Sequence, residues 1–557
     1  MHRSSDPALE FRSRPYVCGA LGERDDALLG ALVADAPSAL KTAIAGDRLA
    51  LLASHRLRPW RSGGRKGLLW NPLADGPPPR GWREASESRM SAGVETGDDG
   101  RVAVHTDALG MQDVYFRRIG GAVYFAGRLE PLLGLGGAGL HIDWDAWASI
   151  LAFTGPAGDA TPFAEVRRLR AAEAWTWQEG TLRLESFEPS WTGVEPDPGF
   201  TPADAVDAVA QAVDPTRKTV IALSGGWDSR LLGALATRRR RRMRAWTTSP
   251  DDGLDLDLEY AGPVAAALGV RRQVLIPGED AWAEDHTAVR ERTAFQTTLH
   301  TWMMPLAREL HRDGSPVLDG LAGDVLFKAL LVPGGIDDER DPGRRLRLIW
   351  EELEGNRLRG NALLRPEVLG SFTERSERAL AAAAAGVAGH HAAATLATLR
   401  TRTARSIAPA PLWLMGPEVA LEFPFLHPEV LKAALRVPLE AKVGGGFYRR
   451  MLAAAHPASA GLPSTNDPLP EGVRWRRRSQ AQASALKAAT DHIRSSEAAA
   501  ALFTREAAAR LLEPEALDPS RVKMAHVRVL HWASLFAQWH DRYRAVLADG
   551  AGDLPFD

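Results

Sequence analysis

A single cysteine, Cys18, stands in 557 residues, so neither a disulfide framework nor a cysteine zinc site can form within one chain. Long hydrophobic runs are equally scarce. The most apolar stretch, ALAAAAAGVAG from position 379, is short and built of alanine, so no membrane span is expected. No basic-then-apolar signal segment opens the chain, and a cytoplasmic protein is the expectation. Neither sign of charge dominates: 68 Lys and Arg stand against 70 Asp and Glu, a net charge of −2 that gives no global preference for polyanions such as nucleic acid. No repeat of fixed period is present. With 45% hydrophobic and 25% charged residues the composition is globular, and the length calls for two domains or more.

What is present concentrates at residues 219–235, TVIALSGGWDSRLLGAL. A β-branched apolar stretch runs into Ser224, Gly225, Gly226, Asp228 and Ser229, and then into a helical pattern. That order builds an anion cradle, because the free NH groups and dipole of a helix N-terminus favour phosphate. Adjacent glycines allow close main-chain approach, and Asp228 stands where it can hold Mg²⁺. The spacing is not GxxxxGK[ST], so a kinase or GTPase-like reading has no support. Gly-Gly after a strand is also an ordinary turn, and Ser or Asp caps many helices. All these features together argue against that ordinary explanation.

A second motif of the same kind lies at 316–328, PVLDGLAGDVLFK, where an apolar strand leads into Asp319, Gly320, Leu321, Ala322, Gly323 and Asp324. A small-residue turn carrying an acid suits close approach to pyrophosphate and a second Mg²⁺ ligand, Asp324.

The first ~190 residues read as mostly β by alternation and turn signals. Val114–Phe116 and Val123–Phe125 form a predicted hairpin around Gly120 and Gly121. Residues 189–202, PSWTGVEPDPGFTP, are dense in Pro and Gly, and the domain boundary is placed there, giving domains 1–195 and 196–557. Beyond it TVIALS, SRLLGALATRRR, MRAWTTS, DLEYAGPVAAALG and RRQVLIP alternate strand with helix, the pattern of a parallel sheet whose ligands sit at strand carboxyl ends. From about 340 the chain reads as largely helical. The tryptophans of the last helix, VKMAHVRVLHWASLFAQWHDRYRAVL, are expected in the core.

SGGWDSR resembles the SGGxDS pyrophosphate loop of the N-type ATP pyrophosphatases, which split ATP into AMP and pyrophosphate to activate a carbonyl. Nearly the whole chain resembles an asparagine synthetase-type protein. DALGMQDVYF is similar to DPLGxxPLYY, FAGRLEPLL to FASExxxLL, DGLAGDVLF to SGEGxDExF, and LEFPFLHPEVLKAALRVPLEAKV to the LExRxPFLD segment and its continuation. The resemblance implies an α/β protein: an N-terminal β-rich class II glutaminase-like (Ntn-type) domain, and a C-terminal parallel-sheet ATP pyrophosphatase domain with a large helical portion. ATP and Mg²⁺ are the implied cofactors.

Three departures narrow the resemblance. A class II glutaminase needs a cysteine directly after the initiator methionine, so that the freed α-amine acts as base. Position 2 is His2 and Cys18 is internal, so no ammonia is expected from glutamine. Leu321 stands where the family often has an acid or, in the β-lactam-forming branch, a tyrosine. LPSTNDPLPEG lacks the lysine of the stretch RxKxxF, leaving Lys442 and Arg449 or Arg450 as nearest candidates for transition-state charge.

Without a dedicated base, an α-amine of pKa ~7.7–8 is a better nucleophile than a lysine amine near ~10.4, which stays protonated. A stand-alone relative of this kind most resembles a lasso peptide cyclase. That implies adenylation of an Asp or Glu side chain in a core peptide, attack by its N-terminal amine, and a leader-peptide-binding protein and leader peptidase as partners. β-Lactam synthetase, ammonia-dependent asparagine synthetase and a non-catalytic ATP or peptide scaffold are the alternatives.

The implied roles are as follows. Ser224, Gly225, Gly226 and Ser229 bind phosphates. Leu223, Thr247, Asp319 and Gly320 lie near the nucleotide, and Asp228 and Asp324 ligate Mg²⁺. Glu422 orients a cation or substrate. His300 and Trp302 are candidates for the peptide pocket, although an amphipathic core helix is the stronger reading of the apolar residues in their segment. The charge runs Arg238–Arg242 and Arg476–Arg478 read as solvated faces, and His390 and His391 receive no metal role.

Overall fold

The computed structural model describes residues 16–34, 40–53, 57–74, 76–137, 139–240, 242–248, 256–276, 281–297, 301–415, 419–468, 483–511 and 524–548. His2, His300 and Arg476–Arg478 lie outside the described residues.

The N-terminal region is built from two six-stranded sheets whose paired strands are antiparallel wherever the register is resolved. Val17, Leu21, Leu51, Val123 and Phe125 from one sheet pack with Trp70, Val94, Val104, Trp175 and Trp177 from the other, because alternate residues of each strand face the same side. The predicted hairpin is present as Tyr115–Ile119 and Ala122–Ala126, with Phe116 opposite Phe125 and Gly120 at φ +59° in the turn.

A Thr201–Asp204 capping box then opens the helix Pro202–Ala212, which leads into a third, five-stranded sheet. That sheet is parallel throughout, in the order Arg271–Leu275, Arg244–Thr248, Val220–Ala222, Val317–Leu318, Leu421–Glu422. Helices Trp227–Arg239 and Leu256–Leu268 are the crossovers that the alternation predicts. The order runs outward in both directions from Val220–Ala222. The loops after Ala222 and after Leu318 therefore diverge at a topological switch point, the place where parallel sheets of this kind bind ligands.

The closing helix, Met524–Tyr543, places Trp532, Phe536 and Trp539 against Trp147 of the helix Trp144–Phe153. Trp532 Nε1 donates to Trp147 O at 3.1 Å, and both tryptophans of the last helix are buried as expected. One apolar cluster therefore runs from the N-terminal region into the C-terminal helices. Among the described residues no helix is long and apolar enough to cross a membrane.

Candidate active site

The glycine pair sits on the turn between the central strand and the helix Trp227–Arg239, with Gly226 as its N-cap. Ser229 Oγ accepts from Ser224 N at 3.0 Å and lies 3.0 Å from Ser224 Oγ, which accepts from Gly226 N at 3.1 Å. Gly225 N donates to Asp257 Oδ1 at 2.6 Å. No side chain fits at Gly225, since a Cβ there would lie 2.9 Å from Thr465 Cγ2 and 3.1 Å from Tyr260 Cβ. Ser464 Oγ, Thr465 N and the buried Arg230 all donate to Gly225 O, at 2.9, 3.2 and 3.3 Å, so the LPSTNDP segment straps the loop in place.

The second turn brings Asp324 to Asp228. Ala322 takes a left-handed conformation (φ +75°) and caps the short helix Gly323–Phe327. A Cβ on Gly320 would lie 2.8 Å from Asp228 Cβ, and one on Gly323 2.7 Å from Asp228 Oδ1. Both glycines are thus needed for the two turns to meet. Burial, and for Asp228 also the Asp324 charge, pushes both carboxyls above the ordinary carboxylate range. Tyr448 Oη donates to Asp228 Oδ1 at 2.6 Å, and burial beside that acid raises its hydroxyl well above the usual tyrosine value.

Cations border this pair. The charges of Lys328 and, for Asp324, Arg402 pull the acids back down. Lys328 Nζ donates to Asn466 Oδ1 at 2.6 Å and lies 5.2 Å from the Trp227 ring centre. Arg449 lies 5.1 Å from the same ring and pairs with Asp467 at 3.2 Å.

The structure brings Ser224, Gly225, Gly226, Asp228, Ser229, Gly320 and Asp324 together, with Arg449 at the margin. Leu223 and Thr247 are buried at the ends of neighbouring strands, and Leu223 N bonds Trp246 O at 2.9 Å. The other expected residues go elsewhere. Asp319 Oδ1 accepts from Leu321 N at 2.9 Å, so it folds its own turn, and burial raises its carboxyl to about 6. Glu422 Oε1 meets Thr219 Oγ1 at 3.4 Å, at the amino end of the central strand and thus opposite the glycine pair. Lys442 is buried in a small cavity with His391, Val437 and Thr395, and burial pulls its amine down to about 7. Arg450 lies over Phe447 at 5.9 Å. Trp302 packs against the apolar cluster around Met303 and Leu414. His390 and His391 reach the backbone oxygens of Thr192 and Leu435 at 2.9 and 3.2 Å. Cys18 is fully buried and its thiol is pushed up to about 12, so it is no nucleophile.

Sequence reasoning missed Lys328, Tyr448, Asp257 and Asn466. Lys328 had a usable signal, four residues after Asp324 in one helical stretch. Tyr448 had none.

These residues suit a nucleotide and a divalent cation. Two like-charged carboxylates held together gain from a shared cation, and Mg²⁺ is commonly held by one or two carboxylates together with phosphate oxygens and water. Among the described residues no group of three or more His, Cys, Asp or Glu forms a protein-only cage. Thr247 Oγ1 is buried at a strand end without a hydrogen-bond partner. Sheet order, glycine turn and acid pair define a nucleotide cleft of the doubly wound type. Residues 205–541, more than half of the 557, match asparagine synthase, and the chain belongs to that family of ATP-dependent amide-forming ligases. None of the curated proteins compared matches the chain significantly.

Proposed function

We propose that the protein is an AMP-forming ligase that closes a macrolactam in a core peptide, as lasso peptide cyclases do. The carrying observation is the Asp228–Asp324 pair beside the glycine turn, with an apolar residue, Leu321, at the position where relatives carry a base. Ser224, Gly226 and Ser229 would bind the phosphates, and Asp228 and Asp324 would hold Mg²⁺, which would supply charge compensation for the departing pyrophosphate. A peptide Asp or Glu carboxylate oxygen bonds to the α-phosphorus as the bond to pyrophosphate breaks. The N-terminal amine then bonds to the acyl carbon, gives up its proton, and AMP departs with the electron pair of the broken C–O bond.

Lys328 is the cation on hand for charge developing at this centre. Tyr448 serves to position Asp228. Its raised hydroxyl stays protonated and cannot act as base. An α-amine, partly neutral at cytoplasmic pH, needs no such base. A cytoplasmic setting, with a leader-peptide-binding protein and a leader peptidase as partners, belongs to this reading.

Incubation with the precursor's core peptide, ATP and Mg²⁺ tests it by mass spectrometry. Loss of one water from the peptide with release of AMP is the expected result. ADP in place of AMP, or amide formation from free aspartate and ammonia with no change in the peptide, overturns it.

A further inference from the structure

Away from the acid pair, a cleft of about 470 Å³ opens between the N-terminal region and the C-terminal helices. That volume lies within the range of small-molecule sites. Arg170, Glu173, Glu188, Arg400 and Arg405 line it with charge, and its small apolar wall includes Ala383 and Gly386. None of Ser224, Gly225, Gly226, Asp228, Ser229, Gly320 and Asp324 lines it.

Most of these charges are already occupied. Arg405 is 3% exposed and pairs with Asp113 at 3.0 Å. Arg170 lies 3.6 Å from Asp159 and 3.7 Å from Glu173. Arg400 differs. Among the described residues it makes no hydrogen bond and no ion pair, its Nε is buried without a partner, and its Nη1 lies 3.8 Å from where a Gly386 Cβ would stand. Burial lowers the affinity of this guanidinium for its proton, and the one charge that counteracts this is Glu188. Yet the two do not close into a salt bridge. Among the described residues Glu188 accepts only from Thr192 Oγ1, at 3.1 Å. A cation and an anion thus border one cavity without meeting. A desolvated guanidinium left unpaired is costly, and a planar carboxylate is its matching partner.

We propose that this cleft binds a free α-amino acid, its carboxylate on Arg400 and its ammonium on Glu188. The two charges of such a ligand sit on one carbon, so it satisfies both groups at once. A dianion such as phosphate answers Arg400 but is repelled by Glu173 and Glu188. The apolar wall receives the side chain. This inference does not rest on the macrolactam reading.

The test is calorimetric titration of the full chain with each of the twenty proteinogenic L-amino acids. Binding of at least one is expected, with N-acetylated and carboxamide forms of that amino acid at least tenfold weaker. Arg400→Ala should weaken binding at least tenfold with an unchanged circular dichroism spectrum, since Arg400 has no internal partner to lose. Ala383→Phe, which fills the cleft without touching a charge, should abolish binding. No binding by any amino acid, equal binding of the blocked forms or of inorganic phosphate, or unchanged binding in a folded Arg400→Ala protein overturns the proposal.

Discussion

Two turns of this protein carry an aspartate just after a strand, in DALG at 107–110 and in DGLAG at 319–323, and both differ from the acids Asp228 and Asp324 in what holds them. Asp107 is fully buried, but its carboxylate accepts from Leu109 N at 2.9 Å and from Gln112 N at 2.6 Å, so the backbone consumes it. Asp319 does the same for Leu321 N. Asp324, five residues further on, faces another acid, and Asp228 is held by one tyrosine. A buried acid satisfied by its own turn builds structure. One that faces a like charge is set up for a ligand from outside.

The sharpest way to break this contrast is to remove the acid pair. Asp228→Ala and Asp324→Ala should each lower ATP–pyrophosphate exchange by about 10³-fold or more, the scale of losing a group that acts on transition-state charge. Stability should move the other way. A carboxyl whose folded pKa is raised lends stability that is full below its unfolded value, near 3.9, and is lost as pH rises through the folded value. Above the unfolded value the raised pair therefore lends the ligand-free fold progressively less stability, and Asp324→Asn should melt no lower than wild type at neutral pH and show less gain with added Mg²⁺. A clear drop in melting temperature would move Asp324 into the structural class of Asp107.

Gly323→Ala should come next, with turnover reduced about a hundredfold, because its Cβ would displace the Asp228 carboxylate by an ångström or so. Lys328→Met should cost roughly tenfold to a hundredfold in exchange rate with little loss of fold. Asp107→Ala should do the reverse. Orphaning two backbone NH groups costs about 2–4 kcal/mol in a denaturant titration, while activity per folded molecule holds.

The smallest effect belongs to Lys442→Met. The folded amine titrates at about 7, so between there and the unfolded value near 10.4 only the unfolded chain binds the proton. Stability therefore climbs with pH across that window. The methionine variant should melt a few degrees higher at pH 7, with the advantage shrinking toward pH 10, and exchange should stay near wild type. A large loss of activity would instead return Lys442 to the site.

The sequence made the glycine turn and the turn carrying Asp324 legible because each is a local pattern written within about twenty residues, and the parallel-sheet alternation legible because each strand and helix carries its own period. Tyr448 was illegible, since only the packing of the helix Gly446–Ala455 brings it to an aspartate 220 positions earlier. Lys442 and Glu422 failed for the complementary reason. Residue type reveals charge, but side-chain direction depends on register, and register turned Glu422 toward Thr219 and Lys442 toward His391.

The stretch Leu399–Ile407 winds as a π-helix, with Ala408 N bonded to Thr403 O at 2.8 Å. Along it Arg400 faces the interregion cleft, Arg402 acts on Asp324, and Arg405 reaches Asp113 while Ser406 Oγ meets Thr154 Oγ1 at 2.6 Å. Winding the same residues as an ordinary α-helix, at about 100° per residue, would rotate Arg405 and Ser406 relative to Arg400. Arg405 would then lose its buried carboxylate, and the β-rich half its anchor on the catalytic half. The extra residue in that winding keeps the two halves in register.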